Sequence, residues 1–509
     1  MLFPIRIGGD LMAMWNRIGI RRQQVLQGFA EGINTFNDKL YIKDNEMIDS
    51  YNLIGDQYPA VRTRADRIVQ TLPASTESGT YNALGIRTTT NAGTQIHKAI
   101  GNTWCYGIRT DAAWTNISTS INASTVYGKF IEYNTMTAKY TILSNSDGSF
   151  YNSYWDGATW STFASTASPR SNLMTAHKYR LYGIDNNGRL LRYSAQGDIT
   201  DWTTVEDAGW IDLTDQVGKA NAITTFNDHV IVWSDKTMYE LYGSFWDNFE
   251  LVNISNKLGC VSARANCECN GKLFWMDYAG IFVYTGGQPR QIGFQAKKYI
   301  DGINWDYKHL IWAGSVDGKL LFNIPFQSTK NNLVIVADVR EIDTGKVRVY
   351  TELLDGNGAV NVDDKLIAYE TSGGRLWQLE STRYTGMDDS NAGGLSTTPI
   401  AWMLETKILF DVGFNVHTCV SDIWIQHEGS TKATMALNYW DNKSTNSTSF
   451  TAIGASSDYI CNPDIIKRSR LYLPYNQLQD IDLYRFQIKG TGYSKIHGLQ
   501  INMNSYGGG

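Results

Sequence analysis

The chain has 509 residues, 42% hydrophobic, 12% aromatic and only 19% charged, with 46 Gly, 9 Pro and a formal net charge of −5. Such a length accommodates about two to four domains or one long repeat fold, and aromatics and glycine with little charge suit an all-β protein rich in tight turns. The negative balance argues against a basic coat for DNA or membrane, while leaving room for a local basic patch.

Six cysteines, Cys105, Cys260, Cys267, Cys269, Cys419 and Cys461, are too scattered for a disulfide scaffold and read as free thiols in a reducing cytosol. No window approaches the ~20 apolar residues of a membrane span. The opening Met1–Asp10 is interrupted too early for a signal peptide. The expectation is a product made soluble in the cytoplasm.

Taken in order, residues 1–35 read as an N-terminal arm, with Leu11–Ile20 as a short helix or extended segment suited to docking or to simple packing. Leu40–Ile54 follows as an extended, partly apolar stretch, and Tyr58–Arg67 as a charged strand or loop. Residues 36–382 are assigned to a β-propeller because one module recurs: a polar turn, an apolar or aromatic run, a second turn and another aromatic run. Phe226–Gly243 and Asn270–Gly287 show it most clearly, and Asn187-Gly188 within Lys178–Tyr193 is a strong hairpin signal. Units begin near residues 102, 139, 178, 227, 270, 317 and 364. A hairpin cannot bury its own apolar face, and a period of roughly 40–50 residues fits a propeller blade. About seven blades are expected, with six or eight permitted; two stacked sandwiches would not explain the even spacing.

Residues 383–398, rich in Gly, Ser, Thr and Asp, read as a linker. Residues 399–509 alternate apolar and polar positions and predict a small C-terminal β-sandwich with one wet face per sheet. The tail Tyr506–Gly509 reads as mobile.

Chemistry-bearing patterns are sparse. The chain lacks the nucleophile elbow, the zinc-protease helix motif and the phosphate loop, so no catalytic, cofactor-binding or metal residue is assigned and no cofactor is expected. His97, His177, His229, His309, His417, His427 and His497 stand singly. His417 and His427, ten apart across two predicted strands, lack a nameable third ligand. Cys267-Glu-Cys269 departs from zinc-knuckle spacing, although both thiols of a strand would share one face. Asp185, Asp228, Asp235, Asp277, Asp317, Asp363 and Asp364 fall at turns, where aspartates cap backbone N–H groups. Paired carboxylates of a glycosidase propeller are the sharper and less favoured reading. Asp363-Asp364 and Asp388-Asp389 read as solvated loop pairs. Trp114, Trp155, Trp160, Trp202 and Trp210 could stack on sugars or bases, but fit better as filling between blades.

Phe249–Arg264, Asn270–Ile292 and Tyr299–Asn304, together with Ile42–Asn52 and Tyr58–Arg64, resemble the propeller-bearing tail nozzle or stabilisation proteins of short-tailed bacteriophages. The likeness spans about residues 35–70 and 175–380 and rests on pattern more than on fixed chemistry; the first thirty residues and the faint first blades depart from it. It implies a structural virion protein without an active site, forming a hexameric ring as the tail nozzle below the head–tail adaptor. Such a ring retains the genome, forms part of the DNA ejection channel and contacts tail fibre or needle proteins. DNA would pass through without sequence-specific binding. Six copies carry a nominal charge of −30 (6 × −5), which resists DNA sticking if the acids face the channel. A baseplate or distal tail protein of a long-tailed phage is one alternative, and a carbohydrate-binding or glycan-cleaving propeller acting in host recognition is another.

Overall fold

A computed structural model describes residues 20–507 apart from 71–80, 90–92, 109–110, 112, 123–125, 136, 215–216, 371–375, 390–396, 411–415, 431–432, 443–450, 454–465 and 473–480. The arm reading for Leu11–Ile20 lies almost wholly outside the described residues, as does Cys461.

Seven four-stranded antiparallel sheets follow one another along the chain. Their innermost strands begin at residues 81, 129, 174, 222, 266, 312 and 356, every 44–48 residues. Six of the seven neighbouring pairs of those strands pack together in ring order, including that of the seventh blade with that of the first. The fold is a seven-bladed β-propeller, as the repeat implied.

The blades are built from the turn outwards. In five of them the first hairpin has two central residues at positive φ: Lys178-Tyr179, Asn227-Asp228, Asn270-Gly271, Asp317-Gly318 and Asp363-Asp364. Two consecutive left-handed residues make the turn whose twist matches paired strands, and Asn, Asp and Gly adopt it at least cost. The units near 178, 227, 270, 317 and 364 are therefore all in register. The unit near 102 is not, because Gly101-Asn102 joins the second and third strands of its blade, Gly93–Ile100 and Thr103–Gly107.

Packing between blades follows from burial on both faces of each sheet. Leu143 and Trp155 of blade 2 meet Trp104 of blade 1, Trp202 and Leu181 of blade 3 meet Ile131 and Ile142 of blade 2, and Ile96 of blade 1 meets Ile367 of blade 7. Trp155 and Trp202 fill these seams and Trp160 packs partly against one, whereas Trp210 is 56% exposed.

The expected domain limits need correction at both ends of the propeller. Blade 7 takes only three strands from residues 356–379; its fourth is Ile68–Val69, paired with Trp377 and Gln378. This closes the ring with a strand from roughly 290 residues earlier, which no local pattern can announce. Met47–Tyr51 and Ala60–Thr63, expected in the propeller, pair instead with C-terminal strands, and Leu53–Gln57, expected there too, joins them as the edge strand beside Ala60–Thr63. The second unit is thus two six-stranded antiparallel sheets drawn from both ends of the chain. One joins Leu53–Gln57, Ala60–Thr63, Ser494–Gly507, Val416–Gly429 and Lys467–Tyr472, with Ile20–Gln27 also on Ser494–Gly507. The other joins Met47–Tyr51, Ala401–Thr406, Leu483–Thr491, Thr434–Asp441 and Thr451–Ile453, with Leu409–Phe410 beside Leu483–Thr491. Their buried residues belong to one apolar cluster, which extends into blades 4 to 7. Tyr506 and Gly507, expected in a loose tail, pair with His417 and Val416. Within the expected linker, Met387–Asp389 pairs with Thr397–Pro399.

The joint between the two units is ionic as well as apolar. Arg64 is 3% exposed and binds Asp388 through two bonds of 2.9 and 2.6 Å, with Glu352 of blade 6 at 3.7 Å. Arg67 reaches Glu352 at 3.1 Å and the Leu353 carbonyl at 2.6 Å. Asp66, fully buried, accepts from the backbone N–H of Thr385 and Gly386 and from Arg383 Nε at 2.9 Å. Asp388 and Asp389, expected as a solvated pair, are therefore committed: Asp389 is 3% exposed and holds Arg383 at 2.6 Å. Charges taken out of water must be paired, and here Arg64 and Arg67 of the arginine-rich run, with Arg383, supply the partners.

Candidate functional site

Blade loops open into a cavity near the axis. It has a volume of about 770 Å³ and is lined by second-hairpin turns and blade-to-blade connections of blades 2 to 5, among them Tyr127, Asn172, Asp185, Asp235, Arg264 and Lys308. Behind it lies a smaller pocket of about 230 Å³, lined by Leu84, Lys129, Thr224, Asn266, Ala313 and Ala359 of six innermost strands and by Arg264. Ala263 and Arg264 belong to both walls, so the pocket on the axis and the outer cavity adjoin.

The cations here are held in different ways. Lys308 donates to Asp235 at 2.7 Å and to the Tyr278 hydroxyl at 2.5 Å. Burial alone would lower its pKa, but these acceptors outweigh it and raise it. Arg264 donates to the Asn357 carbonyl, to the Tyr369 hydroxyl at 3.2 Å and to the carbonyls of Leu310 and His309 at 3.3 and 3.4 Å. Its guanidinium also lies 4.6 Å from the centre of the Tyr127 ring. Lys129 reaches past blade 3 to the Ile223 carbonyl of blade 4, at 3.2 Å. Burial pulls this amine down to about 8.

Of the residues singled out in the sequence, Asp185, Asp235 and His309 line the outer cavity and most of the others lie elsewhere. Asp185 caps its own turn, accepting from the N–H groups of Arg189 and Leu190 at 2.8 and 2.9 Å. Asp228 pairs with Lys178 at 2.8 Å across neighbouring blades, Asp277 accepts from Gly259 and Ala279, and Asp363 accepts from Thr94 at 2.7 Å. His97 is buried, and its Nδ1 accepts from Trp104 Nε1 at 3.1 Å. His229 faces Glu240 at 3.2 Å, His427 meets the Ser469 hydroxyl at 2.7 Å, and His497 meets Glu428 at 3.2 Å. His417 and His427 occupy one continuous strand, Val416–Gly429, rather than two. At roughly 3.3 Å per residue they are ~33 Å apart along it, which rules out a shared ion. Cys267 and Cys269 share one face of Asn266–Cys269, and burial raises both thiols. Among the described residues no three His, Cys, Asp or Glu side chains are grouped to hold a metal.

The axial pair Lys129 and Arg264 was missed in the sequence. A lone lysine opening an innermost strand is visible only once blade phase is known.

No protein-family model matches the chain, and no curated protein matches it. Solved structures do. A catalytically inactive virginiamycin B lyase from Staphylococcus aureus with quinupristin is 10% identical, over 61% of this chain and 98% of that one, with a TM-score of 0.42. YCF48 bound to D1 peptide is 9% identical over 64% and 96%, at 0.37. BBS1N in complex with ARL6DN, soaked with lead, is 9% identical over 63% and 97%, at 0.41. At these identities the likeness concerns the fold alone.

Proposed function

We propose that the chain is a structural subunit of a tailed bacteriophage virion, forming a hexameric ring as the tail nozzle below the head–tail adaptor. In this reading it retains the genome, lines part of the ejection channel, touches fibre or needle proteins and turns over no substrate. It is made in the host cytoplasm and resides in the phage tail.

One observation carries the reading. The segments around Ile42–Asn52 and Tyr58–Arg64, on which the likeness to nozzle proteins rests in part, belong to the joint: they supply strands to both sheets, and Arg64 and its neighbours bind blade 6 and Asp388. A propeller clamped to a second unit by a buried ion network is a stiff block, which a ring bearing internal pressure requires. Among the described residues no helix is long and apolar enough to cross a membrane.

A glycan-binding reading draws on the cavity beside Tyr127, but Asp185 and Asp235, two of its carboxylates, are engaged by a turn and by Lys308. Light scattering on the purified chain, alone and with its adaptor, tests the proposal. The expected species is near six times 57.1 kDa. A monomer under both conditions, or hydrolysis of a glycan, refutes it.

A further inference from the structure

Innermost strands of six blades line the pocket on the propeller axis, with two cations and no Asp or Glu in its wall. Lys129 is half-buried in the pocket wall, and burial lowers its amine. An ammonium has three donors, and the Ile223 carbonyl takes one. Every acceptor found for Arg264 is a neutral carbonyl or hydroxyl. Partly desolvated charge with no carboxylate in the pocket wall is costly, so this pocket favours a negative guest.

The approach carries the same sign. In a chain of net charge −5, the outer cavity places Arg170, Lys219, Lys236, Arg264 and Lys308 against Asp147, Asp185 and Asp235. A concave, locally positive mouth concentrates anions. Thr224 and Asn266 add uncharged polar groups to the pocket wall, and about 230 Å³ admits a small oxyanion and excludes a nucleotide.

We propose that the axial pocket is an oxyanion site, in which Lys129 and Arg264 hold one phosphate or carboxylate group entering from the loop-side cavity. The group belongs either to a free ion or to an acidic segment of a partner. The site stands whether or not the chain forms a ring.

Isothermal titration calorimetry of the full chain at constant ionic strength tests this, with inorganic phosphate as the free-ion probe and N-acetylated tetra-aspartate as the segment probe. At least one probe should saturate a single site per chain. Lys129→Met should weaken it tenfold or more, and Lys236→Gln, at the exposed rim, should leave it within threefold. Phosphate binding assigns the site to a free ion; peptide binding alone assigns it to an acidic segment. No saturable binding of either, or binding that follows Lys236 rather than Lys129, overturns the proposal. Wild-type protein gives a second measure that needs no variant. Affinity should fall as pH rises through about 8, where the Lys129 amine loses its proton. The other groups at the site are Arg264, Tyr127 and Tyr369, the tyrosines raised by burial, Asp355, whose charge also raises Tyr127, and His309, lowered by burial and by Arg264. An affinity that does not change between pH 6.5 and 9.5 also overturns it.

Discussion

Replacing Arg64 by Met removes the centre of the joint while keeping much of the side-chain volume. Arg64 and Glu352 are both nearly inaccessible, at 3% and 4% side-chain exposure, and Asp388 is at 20%. Without the guanidinium, Asp388 keeps only the Arg67 N–H at 2.7 Å among its known donors, and Glu352 keeps only Arg67. Breaking one side of a buried pair costs about 3–5 kcal/mol, because the stranded charge remains out of water. Guanidinium unfolding should show this loss as a lower midpoint at unchanged slope. Asp388→Asn combined with Arg64→Met should cost less than the two single changes summed, with a coupling of about 0.5–3 kcal/mol. Acid sensitivity supplies an independent sign. Burial alone would raise the Asp388 carboxyl, but hydrogen bonds and charge from Arg64, with help from Arg67, hold it below the usual range. The pair therefore stabilises the fold above the ordinary carboxylate range, and that contribution is lost as pH falls through the depressed value. Removing Arg64 should shift acid unfolding to higher pH. A loss below about 1 kcal/mol, the scale of exposed ion pairs, would refute the claim that this network binds the two units.

Four further outcomes follow from the same geometry. Asp66→Ala removes the acceptor of the Thr385 and Gly386 N–H groups and of the partly exposed Arg383, which keeps Asp389, and should cost about 1–3 kcal/mol in the same unfolding assay. His97, driven down to about 3 by burial and by Arg87, stays neutral in the fold but protonates near 6.5 when unfolded. Its share of stability is lost as pH falls from 6.5 toward 3, at up to about 1.4 kcal/mol per pH unit, and His97→Gln should flatten that slope in pH-dependent melting. Gly85→Ala places a Cβ 2.2 Å from Phe130 Cβ at the seam of blades 1 and 2, and should lower stability by about 1–3 kcal/mol by overpacking. Gln70→Pro deletes the N–H that reaches the Leu376 carbonyl at 2.9 Å beside the closing strand; faster amide exchange in Leu376–Leu379 should report the loosened edge.

Sequence pattern reached what is local. Polar turns such as Asn227-Asp228 and Asn270-Gly271 sit where two left-handed residues are needed, so the blade count, and the phase of blades 3 to 7, emerged from their spacing. Seam residues Trp155 and Trp202 were legible because large aromatics at strand positions seek cover. Closure by Ile68–Val69 was not, since its partners Trp377 and Gln378 lie more than 300 residues away. Nor was the burial of Arg64 and Asp388, because a charged residue looks solvated until its partner is known. The axial pocket stayed hidden for a related reason. Lys129 resembles any surface lysine until six strands from different blades surround it.

Single-particle cryo-EM of the purified chain, assembled on its adaptor, tests the central claim most directly. The account predicts six copies around one axis, each a seven-bladed disc whose last blade carries Ile68–Val69 and whose Arg64 contacts Asp388. Separate particles, or a second unit detached from the propeller and swinging freely, would contradict it.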